Sequence, residues 1–542
     1  MSFSNPAANA LSRGFTAGSS NSEISSLHSE KPRDVETPII ERVPDATALI
    51  KGKDEALQLL SGNRGPPIPF TVEEDARLLR KIDKHLMPIM FIIYFLQLMD
   101  KQTLAFSSVF GISRDTHLEG DEYSLLGSIV YIAQIVMQPL SAYLLIRMRL
   151  SLYVPLILGG FEASIQAAFM LTTQIWYRRR EQGVRLAVWF SNNGWVNIFG
   201  SLVMYGLGHV HSKELHPYQL IFLVLGSITF VVGILSFWVF PDNPVRCKFL
   251  TKEEKIMTIE RVRANQQGLE SKQFKMRQLL EMVLDIKSWC WMLLMFLLSV
   301  PTGGVAAFGP LIIHGFGFDQ LTVLLLLMPY GVVQLLSLSL GSWACNHFRL
   351  KSPIVLIALL PCITASAILL SVGRTQKEKP ILLAAYYLLA SQNILTPTIM
   401  NWHTANVAGH TKKATSTSMM LTGYMIGSMT GPLLFTPKDQ PYYRKGILAL
   451  LICHCGAALL LVITVAYLSY LNEKKRRHRI ARGKEGKIID YSLMTTAEIE
   501  NMRNEGIDVA TGKQAFEDLT DLQNDEFVVR DFFIALNSFL IA

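Results

Sequence analysis

Apolar residues along this chain fall into long blocks of about twenty, the length of helix that crosses a bilayer core, separated by short polar stretches. They predict membrane-spanning helices near 87–108, 122–146, 153–176, 186–208, 218–240, 289–313, 321–345, 353–372, 381–402, 414–434 and 446–471. A β-barrel is excluded, because its strands are short and alternate apolar with polar residues. A polar segment, 241–288, separates an N-terminal bundle, 76–240, from a C-terminal bundle, 289–471. Residues 1–75 are Ser-, Pro- and Gly-rich and predict a disordered cytoplasmic tail; residues 472–542 form a second cytoplasmic tail. Two capping patterns, Thr71 with Glu74 and Thr251 with Glu254, open helices just outside the spans. The second begins an amphipathic run through Ile256, Ile259 and Val262 that suits a membrane surface.

Composition narrows the class. Half of the 542 residues are hydrophobic and 17% are charged, against about 25% charge in a soluble domain. A soluble enzyme, a fibrous protein and a disordered chain are therefore excluded, and an all-α polytopic membrane protein remains. The net charge of +8 does not signal nucleic acid, because most Lys and Arg lie in short loops between spans, where they set topology. The six cysteines follow no metal or disulfide pattern, with Cys453-His454-Cys455 projecting from different faces of one helix, and they read as packing residues. Tryptophans 176, 189, 238, 289, 343 and 402 lie near span ends and predict interfacial anchors. The chain has no P-loop, metal-ligand spacing or nucleophile elbow, so neither a cofactor nor enzymatic chemistry is expected.

The loop charges expose a conflict. Arg147/Arg149, Arg178-Arg179-Arg180, ten Lys/Arg in 241–288, Lys412-Lys413 and the run Lys474 to Arg477 all mark an inside face. Six spans join the central segment to the basic tail, which is consistent. Five spans join the N-tail to the central segment, and an odd number cannot bring both to one side. The block 153–176, with arginines at both ends, is the source of the mismatch.

Several runs then resemble one group of proteins. They are Met99-Asp100-Lys101, Asp115-Thr116-His117-Leu118, Trp176-Tyr177, Phe249-Leu250-Thr251, Arg261 to Gln266 and Gly409-His410-Thr411-Lys412-Lys413. In that order they resemble fungal allantoate permease relatives, the anion:cation symporter family of the major facilitator superfamily. The resemblance covers about residues 75 to 527. It implies two pseudo-symmetric bundles carrying a small organic anion with protons across the fungal plasma membrane. The chain departs from the pattern twice. Eleven spans are recognisable where the family has twelve: only Leu150 to Ile157 stands where a third span belongs. After Asp518-Leu519-Thr520-Asp521, where relatives soon stop, this chain runs on to an apolar end.

Polar residues inside the spans are the candidates for function, since an ionised group in the bilayer costs at least about 2.5 kcal/mol and is kept for a reason. Lys101 is expected to attract the anionic solute, with Asp100 beside it in proton coupling. Glu162 is the second proton-coupling candidate, as the sole carboxylate of its span and at a place where the resemblance implies a glutamate. Asn193 and Asn197, with Ser201 a further turn on, share one helix face and are expected to line a cavity. Gln392, Asn393 and Asn401 surround Pro397 in a span expected to break there, and Pro301-Thr302-Gly303-Gly304 predicts a second break. Gly423, Gly427 and Gly431 predict close helix packing. The expected protein is a proton-coupled secondary transporter of a small organic anion (allantoate, a ureido acid, a carboxylate vitamin or a small peptide). Its partners are the lipid bilayer, the solute and protons, with a monomer favoured. Two alternatives stay open: a membrane sensor that binds the solute without moving it, and a chain inactive for want of one span.

Overall fold

The computed structural model describes residues 71–483 and 520–524, apart from 111, 119–120, 148–152, 155–164, 211–215, 242, 264–274, 349 and 437–438. The described residues form helices and connections, without strands. In the first half these are α1 (Val72–Val109), α2 (Glu122–Arg147), α3 (Ile165–Trp176), α4 (Arg179–Phe190), α5 (Ser201–Gly208) and α6 (Pro217–Val239). Between α4 and α5 lie a single turn, Asn192–Trp195, and a π-helical turn, Val196–Gly200. The central segment contributes α7 (Lys252–Arg263) and α8 (Met276–Leu284). The second half holds α9 (Ile286–His314), α10 (Gln320–His347), α11 (Ser352–Ser371), α12 (Lys379–Leu389), α13 (Leu395–Ala405), α14 (His410–Leu433) and α15 (Arg444–Ala481). A 3₁₀ stretch, Ala390–Ile394, links α12 to α13.

Six of the described helices are long and apolar enough to cross a membrane. Their outward faces stay apolar: Phe222, Phe230, Leu235 and Trp238 of α6 are all exposed. A helix that is apolar inside and out belongs in lipid. Both predicted capping patterns form. Thr71 and Glu74 exchange side-chain and backbone bonds at the start of α1, and Thr251 and Glu254 do so before α7.

The halves meet along two seams. In one, α2 lies along α14 and touches α9 through Tyr123, whose hydroxyl donates to the Ala307 carbonyl at 3.1 Å; in the other, α5 and α4 lie against α10 and α13. Within the second half, α9 and α14 make the closest pair. A Cβ on Gly423, Gly427 or Gly431 would come within 2.4, 2.5 and 2.4 Å of the carbonyl oxygens of Met292, Phe296 and Val300. One glycine per turn thus lets the two backbones touch, as the small-residue stripe predicts.

Two expectations are corrected. α9 runs unbroken through Pro301 and Pro310; a proline removes one N–H, and α14 packed along the helix holds it together. Of the six tryptophans expected at the interface, Trp176, Trp189 and Trp402 are buried in the core, whereas Trp238, Trp289 and Trp343 are exposed. Proximity to a span end does not decide which way an indole points; the helix's rotation against its neighbours does.

The direction of α2 and α3 bears on the span conflict. Against α1, Tyr123 of α2 meets Ser108 and Tyr131 meets Lys101. Phe169 of α3 packs beside Tyr94 with the rings tilted at 45°, and Trp176 stacks on Phe249, which in turn stacks on His85. Both helices are therefore antiparallel to α1 and run the same way.

Each half carries a charge cluster at the end that bears the basic loops. In the first, the fully buried Arg261 meets Asp75 at 2.5 Å and Glu181 at 2.6 Å, while Arg185 meets Asp83 at 2.6 Å and Lys81 meets Glu254 at 2.7 Å. These pairs tie α7 to the starts of α1 and α4, so α7 packs with the first half, whereas α8 packs on α9 and α14 of the second.

Candidate functional site

A cavity of about 380 Å³ opens between the halves, lined by residues of both. From the first half come Asp100 and Lys101 on α1 and Asn193 and Asn197 between α4 and α5. From the second come Thr302 on α9, Gln334 on α10, and Gln392 and Asn393 on the 3₁₀ stretch. A volume of this size suits a small solute.

Adjacent residues on a helix point about 100° apart, so Asp100 and Lys101 reach different walls. The Lys101 ammonium sits 4.2 Å above the centre of the Tyr131 ring on α2. The Asp100 carboxylate turns to the Thr229 hydroxyl on α6. Lys101 is the one cationic side chain lining the cavity among the described residues, and Asp100 the one carboxylate.

The polar seam opposite depends on a close approach of backbones. A Cβ on Gly194 would lie 2.8 Å from the Gly331 carbonyl, and one on Gly331 would lie 2.6 Å from the Gly194 carbonyl. Glycine at both positions draws α10 in, and the Asn197 amide nitrogen donates to Gln334 Oε1 at 2.9 Å across the halves. The same nitrogen donates to the Asn193 carbonyl at 2.8 Å, in the π turn that keeps both asparagines on the cavity wall. Ser201, predicted on this face, is buried and does not line the cavity.

Gln392 is held by two helices. Its amide nitrogen donates to the Thr302 hydroxyl and, at 3.4 Å, to the Leu298 carbonyl, both on α9. Its Oε1 faces His454 Nε2 at 3.2 Å, from α15. The Leu298 carbonyl can only accept, so the amide nitrogen belongs on that side and Oε1 must accept from His454. The buried imidazole therefore carries its proton on Nε2.

Six of the sequence-predicted residues thus share one cavity: Asp100, Lys101, Asn193, Asn197, Gln392 and Asn393. Asn401 lies elsewhere, where the halves touch at the basic end; a Cβ on Gly183 of α4 would come within 2.7 Å of its amide nitrogen. Its carbonyl accepts from Lys351 Nζ at 3.2 Å. Glu162 lies outside the described residues. Sequence reasoning missed Gln334 and His454. Each is a lone polar residue in an apolar run, Leu324 to Leu336 and Leu450 to Leu461, which is the signal that would have found it.

A model of the Major Facilitator Superfamily matches residues 150–432. An uncharacterised transporter of Schizosaccharomyces pombe is 31% identical over 525 residues, covering 91% of this chain and 93% of the relative. Allantoate permease of Saccharomyces cerevisiae is 29% identical over 493 residues, covering 83% and 90%. Among solved structures, that of a D-xylose-proton symporter aligns with a TM-score of 0.50 at 12% identity, over 70% of this chain and 96% of that one, a likeness of fold.

Proposed function

The chain belongs to the Major Facilitator Superfamily, and we propose that, as a secondary transporter, it carries a small organic anion together with protons. The observation that carries this reading is the make-up of the cavity: one cation, Lys101, and one carboxylate, Asp100, with amide groups from both halves around them. Lys101 would draw the solute's carboxylate from water, and Asn193, Asn197, Gln392 and Asn393 would orient it. Asp100 would take and release the proton, with Glu162 as a second coupling group. Asn401 is assigned to the contact between the halves at the basic end, which must part for release. Rocking of one bundle against the other would expose the cavity to each side in turn. Similarity to an allantoate permease and a nicotinic acid transporter supports a small carboxylate as substrate and a plasma-membrane location, and the run Lys474 to Arg477 after the last span supports tails in the cytoplasm.

The test is uptake of radiolabelled allantoate and nicotinate by cells expressing the chain. Initial rates are expected to rise several-fold when the external pH is lowered from 7 to 5, and to collapse with a protonophore. Asp100→Asn is expected to flatten that pH dependence while exchange of labelled for unlabelled solute persists. Uptake of either anion that ignores both pH and protonophore would remove proton coupling from the reading.

One observation favours a second reading. α2 and α3 run the same way along α1, which is the orientation conflict that the loop charges expose and that the resemblance attributes to an absent third span. A chain without that span would be transport-inactive. Transcript sequencing across Arg147 to Glu162 separates the two: an additional apolar block in the message supports the transporter, and its absence together with zero uptake supports the inactive chain.

A further inference from the structure

We propose that Thr520–Asn524, in the tail beyond the last helix, is an intramolecular latch that supplies the missing counter-ion of a buried lysine pair and so closes the basic end of the second bundle. The inference stands on charge balance and packing, whatever solute the chain carries.

Lys287, in the first turn of α9, and Lys412, in the first turn of α14, both have fully buried side chains. Two buried cations this close require two buried anions, because an unpaired charge in the interior costs several kcal/mol. The bundle itself provides one, Asp285, 2.9 Å from Lys412 and 3.7 Å from Lys287. Glu281 also reaches Lys412 at 3.0 Å, from a position still partly open to water. The second buried anion is Asp521. Its carboxylate lies 2.5 Å from Lys287 and 3.0 Å from Lys412, and its side chain is wholly buried. Burial alone would raise this carboxyl's pKa, but Lys287 and Lys412 outweigh that and hold it down at about 2.

The latch is seated by more than charge. The Ala408 N–H points at the Asp521 carboxylate at 3.4 Å across 113 residues of sequence. Lys475, past the lipid-spanning part of α15, donates to the Asp521 carbonyl. Thr520 packs on Gly409, where a Cβ would come within 3.0 Å of it. Gly409 has φ +89°, a conformation L side chains rarely adopt, so glycine there serves both the turn and the docked tail. Gln278 of α8 accepts from the N–H groups of Thr411 and Lys412 at 3.0 and 3.2 Å. With Gln523 Nε2 donating to Glu281 of α8 at 3.4 Å, the segment joins α8, α9, α14 and α15 at one end. It sits on the connection that follows α13, the helix carrying Asn401 at the contact between the halves.

The experiment is a charge-balance cycle on the full-length protein in detergent. Asp521→Asn leaves two buried lysines for one buried anion, and Lys412→Met leaves two anions for one lysine. Each is expected to lower the unfolding temperature by at least about 5 °C. The double variant restores one-to-one pairing of Lys287 with Asp285 and is expected to recover at least half of that loss. Hydrogen exchange is expected to quicken at least about tenfold in Asp521→Asn at residues 406–412 and 276–284, and to stay unchanged in α1 to α5. If Asp521→Asn does not accumulate, recovery of folded protein in the double variant supports the latch in its place. Single variants as stable as the parent, losses that simply add in the double, or a double that also fails to accumulate would each overturn the latch.

Discussion

Lys101→Met is expected to lower the initial rate of organic-anion uptake at least about tenfold, a loss of about 1.4 kcal/mol of recognition, with normal amounts of folded protein. The argument rests on the cavity's inventory, in which Lys101 is the one cation among the described lining residues. A carboxylate leaving water exchanges strong hydration for what the site offers. Amide donors alone replace only part of it, and the ammonium supplies the rest. Methionine keeps the length of the side chain and its packing over Tyr131, 4.2 Å from the ammonium, so folding should be spared. Lys101→Arg keeps the charge on a bulkier, planar group and is expected to retain part of the activity. Measuring KM and maximal rate separately tells whether the charge acts in binding or in the rocking step. Unchanged uptake by Lys101→Met would mean that the anion is recognised elsewhere.

Gly427→Val is expected to be the most damaging single change in the second bundle. A Cβ there would meet the Phe296 carbonyl at 2.5 Å and the Ser299 side chain at 2.9 Å. Neither can yield without moving α9, and α9 lies against α14 for much of its length. Overpacking of a well-fitted interface costs typically about 1–3 kcal/mol and occasionally more, and separating two backbones belongs at the upper end. The expected results are poor accumulation and an unfolding temperature lower by at least about 5 °C. Gly456→Ala on α15 is the matched control. Its Cβ would find Leu297 side-chain atoms at 3.6 and 3.8 Å, ordinary contact distances, and its effect should be near zero. Equal stability of Gly427→Val and the parent would mean that α9 and α14 do not touch as described.

The spans were legible because lipid imposes a condition that each helix meets within its own sequence, by a continuous apolar run. Breaks in the spans were less legible. Pro301 suggested one, yet α9 is continuous. The turns that bend toward the cavity are the π turn at Val196–Gly200 and the 3₁₀ stretch at Ala390–Ile394. Neither contains a proline, and both coincide with polar residues whose side chains bond across helices. Asn197 does so to Gln334, and Gln392 to Thr302. The local geometry follows the partner helix as much as the local sequence.

The candidate residues divide along the same line. Asp100, Lys101, Gln392 and Asn393 stand out in sequence because polar groups are costly in an apolar span. Asn401 stands out equally and faces Gly183 instead of the cavity, because one turn along a helix moves a residue from the cavity to the contact that seals it. Trp176 and Trp402 show the same dependence on rotation, buried where the pattern predicted an interface.

By itself, then, the sequence determined the helical membrane architecture and the short set of polar residues worth watching. It also revealed the mismatch that reappears as α2 and α3 running the same way. Only the tertiary structure decided which polar residues share a cavity, that Gly194 and Gly331 bring Asn197 to Gln334, and that Asp521 in the tail completes the charge of Lys287 and Lys412. The physical reason is one of range. Apolar periodicity records how each segment meets lipid or water and is written locally. Pairing depends on helix rotation and backbone approach, which are fixed by surfaces far apart in the chain.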